Sequence, residues 1–263
     1  MDSKTTKIAI LVDGDNAQAK LLKSILEEVS KYGKATIRRI YGDWTSSHMS
    51  SWKEKLNELS FNPIQKFAYT AGKNSTDSSM IIDAMDILHD KIVDGFCIVS
   101  SDSDYTGLAK RIREDGVFVM GIGVKTTPNA FVQSCEVFTY CENIAEEVPV
   151  IEQTSKTTRV RRTKATPKVI KVTKEVEEVK IPKSKSYPSI NMNLINKAYD
   201  LSINEEEATL IANIGSNLRK IDPSFDARTY GFKNLTQLFS KLKEYEVINH
   251  EVGGLNHPLV RKK

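Results

Sequence analysis

Two short apolar runs that end abruptly in carboxylates constrain this chain more than any other feature. They are Ile8-Ala-Ile-Leu-Val-Asp-Gly-Asp-Asn16 and Ile98-Val-Ser-Ser-Asp-Ser-Asp104. An unbroken β-branched run of this length, bounded by Gly or polar residues, reads as a strand buried on both faces of a parallel sheet. In open α/β sheets the functional crevice lies beyond the carboxyl ends of the strands. Asp13, Asp102 and Asp104 are therefore expected at the mouth of such a crevice. Unpaired negative charge is costly there unless a cation joins it, and a divalent metal is the natural candidate.

The rest of the N-terminal half supports that sheet. Strands are expected over 7–12, 35–41, near 64–68, over 95–100, 117–123 and 137–140. Helices are expected over about 18–32, 50–59, 76–90 and 105–114. Strands alternating with amphipathic helices make βαβ units and a mainly parallel sheet, and the crossover rule brings the ends of the first and fourth strands to one edge. From about 151 to 185 the composition turns basic, with Arg161 and Arg162 among many Lys and Arg residues and almost no aromatics. A stretch this hydrophilic buries too little surface to offset its conformational entropy. Order is expected to resume near Pro188, with helices over about 190–201, 206–220 and 234–245, then a strand over 247–252 and a Gly-Gly turn. Three helices and a terminal ribbon point to a small winged-helix-like α+β domain. The expected organisation is an α/β domain over 1–147, a basic flexible linker over 148–187 and the small domain over 188–263.

Charge and cysteine content exclude several classes. A net charge of +4 is too small to name a partner without its distribution. Cys97, Cys135 and Cys141 match neither a CxxC metal pattern nor a disulfide framework. No apolar run is long enough to span a bilayer and no signal peptide is recognisable, so a cytoplasmic protein without a membrane partner is expected. Gly14 and Gly42 are isolated, and no Gly-x-Gly-x-x-Gly opens a helix after the first strand, which disfavours a dinucleotide site.

Several carboxylates converging from separate strand ends make a poor acid/base pair, because mutual repulsion resists full ionisation. They make a good oxygen-ligand site for Mg²⁺ or Mn²⁺, and such a metal suits phosphodiester hydrolysis. Asp77 joins the set if the helix that opens near it faces the crevice, although a first-turn carboxylate also complements the helix dipole. Asp102 or Asp104 has the alternative of capping a helix. Asn16 either orients a metal-bound water or caps the first helix, and Lys73 either steers phosphate or is an ordinary loop charge.

These residues resemble a known family. Ile10-Leu-Val-Asp-Gly-Asp-Asn16, Gly72-Lys-Asn-Ser-Thr-Asp77 with Ile82-Asp-Ala-Met-Asp86, Asp94-Gly-Phe-Cys-Ile-Val-Ser-Ser-Asp-Ser-Asp104 and Lys125-Thr-Thr-Pro-Asn-Ala-Phe131 are together similar to the NYN domain, a PIN-like nuclease fold of the LabA-like group. The resemblance implies a PIN-like, Rossmannoid sheet with an acidic metal site formed by Asp13, Asp77, Asp102 and Asp104, with Asn16 beside it. It also implies ribonuclease activity. Tyr105 stands where Phe is more usual.

Leu210-Ile-Ala-Asn-Ile-Gly-Ser-Asn-Leu-Arg-Lys-Ile-Asp-Pro-Ser-Phe225 and Tyr230-Gly-Phe-Lys-Asn-Leu-Thr-Gln-Leu-Phe239 resemble the OST-HTH (LOTUS) domain, a winged-helix-like module implicated in RNA binding. Phe232, Leu235, Leu238 and Phe239 are expected in its core. Lys73, Arg161, Arg162, Lys220, Arg228 and Lys233 are the candidate RNA contacts, each also readable as a solvated charge. The expected function is a Mg²⁺- or Mn²⁺-dependent ribonuclease, an endonuclease by preference, acting on single-stranded or structured RNA. The alternatives are an RNA-binding regulator or scaffold with little activity and, more weakly, a DNA-binding winged-helix factor. Association as a homodimer is left open.

Overall fold

The computed structural model describes residues 5–67, 75–145, 187–203, 208–249, 251–252 and 255–263. Its N-terminal part is built on a six-stranded, wholly parallel sheet. The strands are β1 (Lys7–Asp13), β2 (Lys34–Gly42), β3 (Asn62–Gln65), β4 (Gly95–Val99), β5 (Phe118–Gly123) and β6 (Val137–Tyr140), in spatial order 3-2-1-4-5-6. Ile8 through Val12 are all fully buried, as a strand covered on both faces must be.

Successive side chains of a strand point to opposite faces, and β1 feeds two cores. Ile8, Ile10 and Val12 pack with Leu22, Ile25 and Val29 of α1 (Leu22–Ser30) and Leu56 of α2 (Lys53–Leu59). Ala9 and Leu11 pack with Met80, Ala84 and Ile87 of α3 (Ser75–Asp90), Leu108 and Ile112 of α4 (Thr106–Glu114), and Phe131 of α5 (Asn129–Ser134). A short α6 (Cys141–Ile144) follows β6. The sheet is thus sandwiched between two helical layers.

Phe138 of β6 packs edge-on against Phe131 and lies over the Cα of Gly121. A β-carbon at Gly121 would come within 2.5 Å of the Phe138 ring and 2.9 Å of Cys135 Sγ. Gly121→Ala is therefore expected to destabilise the protein by about 1–3 kcal/mol, the usual cost of overpacking a filled core. Chemical denaturation with an unchanged m-value would show it. An unchanged midpoint would mean that Phe138 moves aside freely.

The C-terminal part comprises α7 (Met192–Asp200), β7 (Ala208–Leu210), α8 (Ile211–Ile221), α9 (Leu235–Lys241), β8 (Tyr245–Ile248), a β9 (Glu251–Val252) and β10 (Leu255–Asn256) ribbon, and β11 (Leu259–Lys262). β11 lies between β7 and β8, antiparallel to both. Ile195, Tyr199, Ile214, Leu218, Leu238 and Phe239 form the core, with Phe232 and Leu235 partly buried against it. The fold is the expected small α+β domain with an antiparallel sheet.

Several boundaries differ from the sequence expectation. The strand placed near 64–68 is Asn62–Gln65 and contains Pro63. It is the outermost strand, where a residue without an N–H is tolerated. The helix expected over 206–220 begins only at Ile211, because Ala208–Leu210 pairs with Leu259–Arg261. The helix expected over 234–245 ends at Lys241, since Tyr245 is already in β8. The strand expected over 247–252 is split between β8 and β9. The short helices α5 and α6 lie outside the elements that the sequence pattern predicts.

Both parts belong to one compact unit. The free edge of β6 is covered at Phe138, whose N–H donates to the Pro223 carbonyl at 2.9 Å. Asn143 of α6 donates to Thr229 Oγ1 at 2.8 Å. Covering an edge in this way removes a template for unwanted strand pairing.

Candidate active site

In this strand order the chain leaves β1 for β2 and β3 on one side and returns through β4 on the other. The loops after β1 and β4 therefore diverge and open a crevice at the carboxyl edge, where ligands of open α/β sheets bind. Asp13 is the last residue of β1, and the Ser100–Asp104 segment follows β4 directly.

Asp13 is fully buried, and its carboxylate is held from four directions. Oδ1 accepts from the backbone N–H groups of Asp15 (3.2 Å) and Asn16 (3.4 Å). Oδ2 accepts from Asn16 Nδ2 (2.7 Å) and Ser100 Oγ (2.8 Å). Bonds of this kind to an ionised acceptor are among the stronger ones in proteins. Ser100 Oγ in turn accepts from the N–H of Asp102 at 3.1 Å. A hydrogen-bonded chain thus ties the ends of the two central strands together. Asn16 caps no helix: its amide secures Asp13, and the first helical turn starts after Gln18 without a side-chain cap.

In front of this buried carboxylate stand three others. Asp77, Asp102 and Asp104 each offer a carboxylate oxygen, and these oxygens lie within 4.8 Å of one another. Asp102 caps the 3-10 turn Ser103–Tyr105, accepting from the Asp104 N–H at 2.9 Å. Asp77, in the first turn of α3, accepts from Tyr105 Oη at 2.7 Å. Burial pushes the Asp77 carboxyl above its ordinary range, Tyr105 pulls it back, and the charges of Asp13, Asp102 and Asp104 push it up further. Burial, together with Asp13, Asp77 and Asp102, also drives the Tyr105 hydroxyl far upward, so it serves as a donor.

The donor set fits a hard divalent ion. It consists of carboxylate oxygens alone, and the span is one such an ion bridges directly or through one of its waters. Burial and like-charged neighbours disfavour a charge on Asp77, a cost that a cation would offset. Asp77, Asp102 and Asp104 are the residues that could hold it, and Asp13, expected among the ligands, is not in that group.

Other candidates fall elsewhere. Lys73, Arg161 and Arg162 lie outside the described residues. Lys220 and Lys233 are exposed. Arg228, expected at phosphate, instead directs its guanidinium onto Asp226 and onto Glu28 of α1. Asp83 binds Arg39 and Tyr41 of β2, so it belongs to the sheet rather than to the carboxylate group. Ser100 and Tyr105 are the two site residues that sequence reasoning missed. Tyr105 stands where Phe is more usual, and its hydroxyl is what that departure supplies.

A family model of the NYN domain matches residues 7–145, more than half of the chain. The chain belongs to the NYN domain family. An OST-HTH/LOTUS domain matches residues 192–257. NYN is a PIN-like nuclease family and OST-HTH/LOTUS is an RNA-binding module. Among curated proteins, the uncharacterized protein MJ0482 of Methanocaldococcus jannaschii is 28% identical over 145 residues, covering 54% of this chain. The match spans only 56% of that relative's length. Among solved structures, VPA0982 of Vibrio parahaemolyticus, of unknown function, covers 53% of this chain and 95% of its own at 20% identity and a TM-score of 0.45. An uncharacterized protein from locus NE0665 of Nitrosomonas europaea covers 36% of this chain and 92% of its own at 20% identity and a TM-score of 0.28. Among the described residues of this NYN protein, no helix is long and apolar enough to cross a membrane.

Proposed function

We propose that this NYN protein is a ribonuclease dependent on Mg²⁺ or Mn²⁺, cutting RNA internally, with the C-terminal module and the basic segment over 148–187 holding the substrate. The observation that carries the reading is the convergence of Asp77, Asp102 and Asp104 at the switch point, in front of the buried Asp13. These three would hold a divalent ion, which when bound would supply a Lewis acid for the phosphodiester and a nucleophile at neutral pH. The protein's own share is positioning. Ser100 and Asn16 fix Asp13, the Asp102 N–H is fixed through Ser100, and Tyr105 holds one oxygen of Asp77 in place. Lys220 and Lys233 are exposed cations suited to phosphate, and a module joined to the nuclease raises the local RNA concentration. Cys97, Cys135 and Cys141 are all unpaired, which suits a reducing cytoplasm.

The test is incubation of purified protein with end-labelled single-stranded and structured RNA in Mg²⁺, Mn²⁺ or EDTA. Internal fragments that appear with metal and vanish with EDTA are expected. RNA that is retarded but intact under every condition would replace the nuclease by an RNA-binding regulator.

Tyr105→Phe gives a finer check. The ring stays in its buried place and only the bond to Asp77 is lost. Removing a group that orients a metal ligand is expected to weaken Mn²⁺ binding about 10-fold, as read by titration calorimetry. An unchanged affinity would leave Tyr105 with a packing role alone.

A further inference from the structure

Beside the outermost strand β3 lies a cavity of about 650 Å³, within the range of small-ligand sites. Its floor is apolar: Met49, Leu56 and Phe61 are buried and Trp44 is partly exposed. Lys53 and Gln65 stand at its rim. From Met49, Gln65 and Trp44, together with the exposed Phe67 just past β3, we infer that this cavity is a nucleoside subsite. It takes one unstacked base of the RNA strand whose backbone crosses the carboxylates. The inference rests on the ribonuclease reading above.

Three observations carry it. Met49 borders both places, because a β-carbon on Gly14, next to Asp13, would come to 2.7 Å of Met49 Cε, and one on Gly42 to 2.6 Å. The same methionine thus lines the cavity and packs under the loop after β1. Height agrees as well: Asp13 is in register with Tyr41, and Gln65 with the next residue, Gly42. Three strand spacings separate β3 from β4, roughly 14 Å, or about four stacked nucleotides at 3.4 Å each. A strand cut at the carboxylates therefore reaches the cavity without a long detour.

The chemistry of the walls fits a base. Trp44 is pinned by its indole N–H to the Ile64 carbonyl at 3.1 Å and by its backbone N–H to Gln65 Oε1 at 2.9 Å. Gln65 Nε2 donates to Asp43 Oδ1 at 2.9 Å. A fixed, partly exposed indole is a ready stacking surface, and unpaired bases are recognised by stacking on aromatic rings with polar groups at their edges. Lys53 offers a cation to the adjoining phosphate. Phe67 is 63% exposed and follows Lys66 at the same edge, a second ring for a neighbouring base.

Binding is read without cleavage, in EDTA, from tryptophan fluorescence. The chain has two tryptophans, and Trp52 is only 1% exposed, so a quencher in the cavity acts on Trp44. The probes are a short single-stranded oligoadenylate and the same strand with abasic nucleotides. Saturable quenching by the first and its loss with the second are expected. Ser50→Phe fills the cavity from an exposed rim position that lies outside the core. It is expected to abolish the quenching and weaken binding about 10-fold, the scale of one base stacked on one ring. Trp44→Ala should weaken binding similarly, and because it also loses a hydrogen bond it is read beside Ser50→Phe.

Absent quenching, or Ser50→Phe binding and cutting like wild type, would overturn the subsite even if metal-dependent cleavage is present. Quenching without cleavage in any metal would remove the ribonuclease reading and keep the base site. An apolar peptide that quenches as well as RNA would assign the cavity to a protein partner instead.

Discussion

Asp102→Asn is expected to lower metal-dependent RNA cleavage by at least about 100-fold while leaving the fold and RNA affinity intact. Asn keeps the shape of Asp and is an equally good cap, so the turn Ser103–Tyr105 keeps its bond to the Asp104 N–H. What disappears is one negative charge from a group of three carboxylates. Residues that merely orient metal ligands cost 10–100-fold when removed, so if Asp102 is a direct ligand, as proposed, its loss sets the effect at or beyond the upper end. Losing that charge also relieves repulsion on Asp77, whose carboxyl is pushed up in part by Asp102. Without metal the variant should therefore melt at the same temperature as wild type or higher, whereas an ordinary core lesion would lower it. Full cleavage by highly purified Asp102→Asn protein would remove these carboxylates from the chemistry.

The sequence made the centre of this site legible and left its supports hidden, for a physical reason. A strand covered on both faces has to be apolar throughout, so β1 and β4 announce themselves, and the carboxylates that end them mark one edge of the sheet. Asp77 stands in the first turn of a helix, where the dipole explains it equally well, so only the family resemblance, and not its local pattern, joins it to Asp102 and Asp104. Ser100 and Tyr105 act through bonds to residues 87 and 28 positions away. Nothing local distinguishes such a Ser or Tyr from any other. The same holds for β7, whose partner β11 lies some fifty residues on, and for α9, cut short where Tyr245 enters the sheet. Pattern reading detects which face is buried. It does not detect what that face meets.

Arg228 illustrates the distinction most sharply, and breaking its contacts is the second large effect expected. Its guanidinium donates to Glu28 through Nη1 at 3.0 Å and Nη2 at 2.9 Å, a two-pronged pair linking residues 200 positions apart. Asp226 takes its other side, and Lys31 Nζ reaches Glu28 at 2.6 Å. Glu28 is only 5% exposed and Arg228 is 28% exposed. Removing one member of a buried pair costs about 3–5 kcal/mol. Lys31 continues to neutralise Glu28 and Arg228 is partly solvated, so Arg228→Ala is expected to cost less, about 2 kcal/mol. Arg228→Glu, which sets a third carboxylate beside Glu28 and Asp226, should cost more than Arg228→Ala. A cycle with Glu28→Gln isolates the coupling between Glu28 and Arg228, since the loss of the Arg228 bonds to Asp226 is common to the single and double variants and cancels.

Acid should act like the mutation. Burial alone would raise the Glu28 carboxyl, but Arg228 and Lys31 outweigh it and hold it below its ordinary value. A carboxyl depressed by folding contributes stability at pH values above its unfolded value of about 4.3. That contribution is lost as pH falls through the lower, folded value. Arg228→Ala should therefore be most destabilising near neutrality, with the gap to wild type closing in acid. Because the guanidinium is occupied by carboxylates, RNA affinity per molecule should fall far less for Arg228→Ala than for Lys220→Ala or Lys233→Ala. Small-angle scattering should show Arg228→Glu expanding as the C-terminal module leaves α1 and the edge of β6. An unchanged radius with weakened RNA binding would return Arg228 to the nucleic-acid surface.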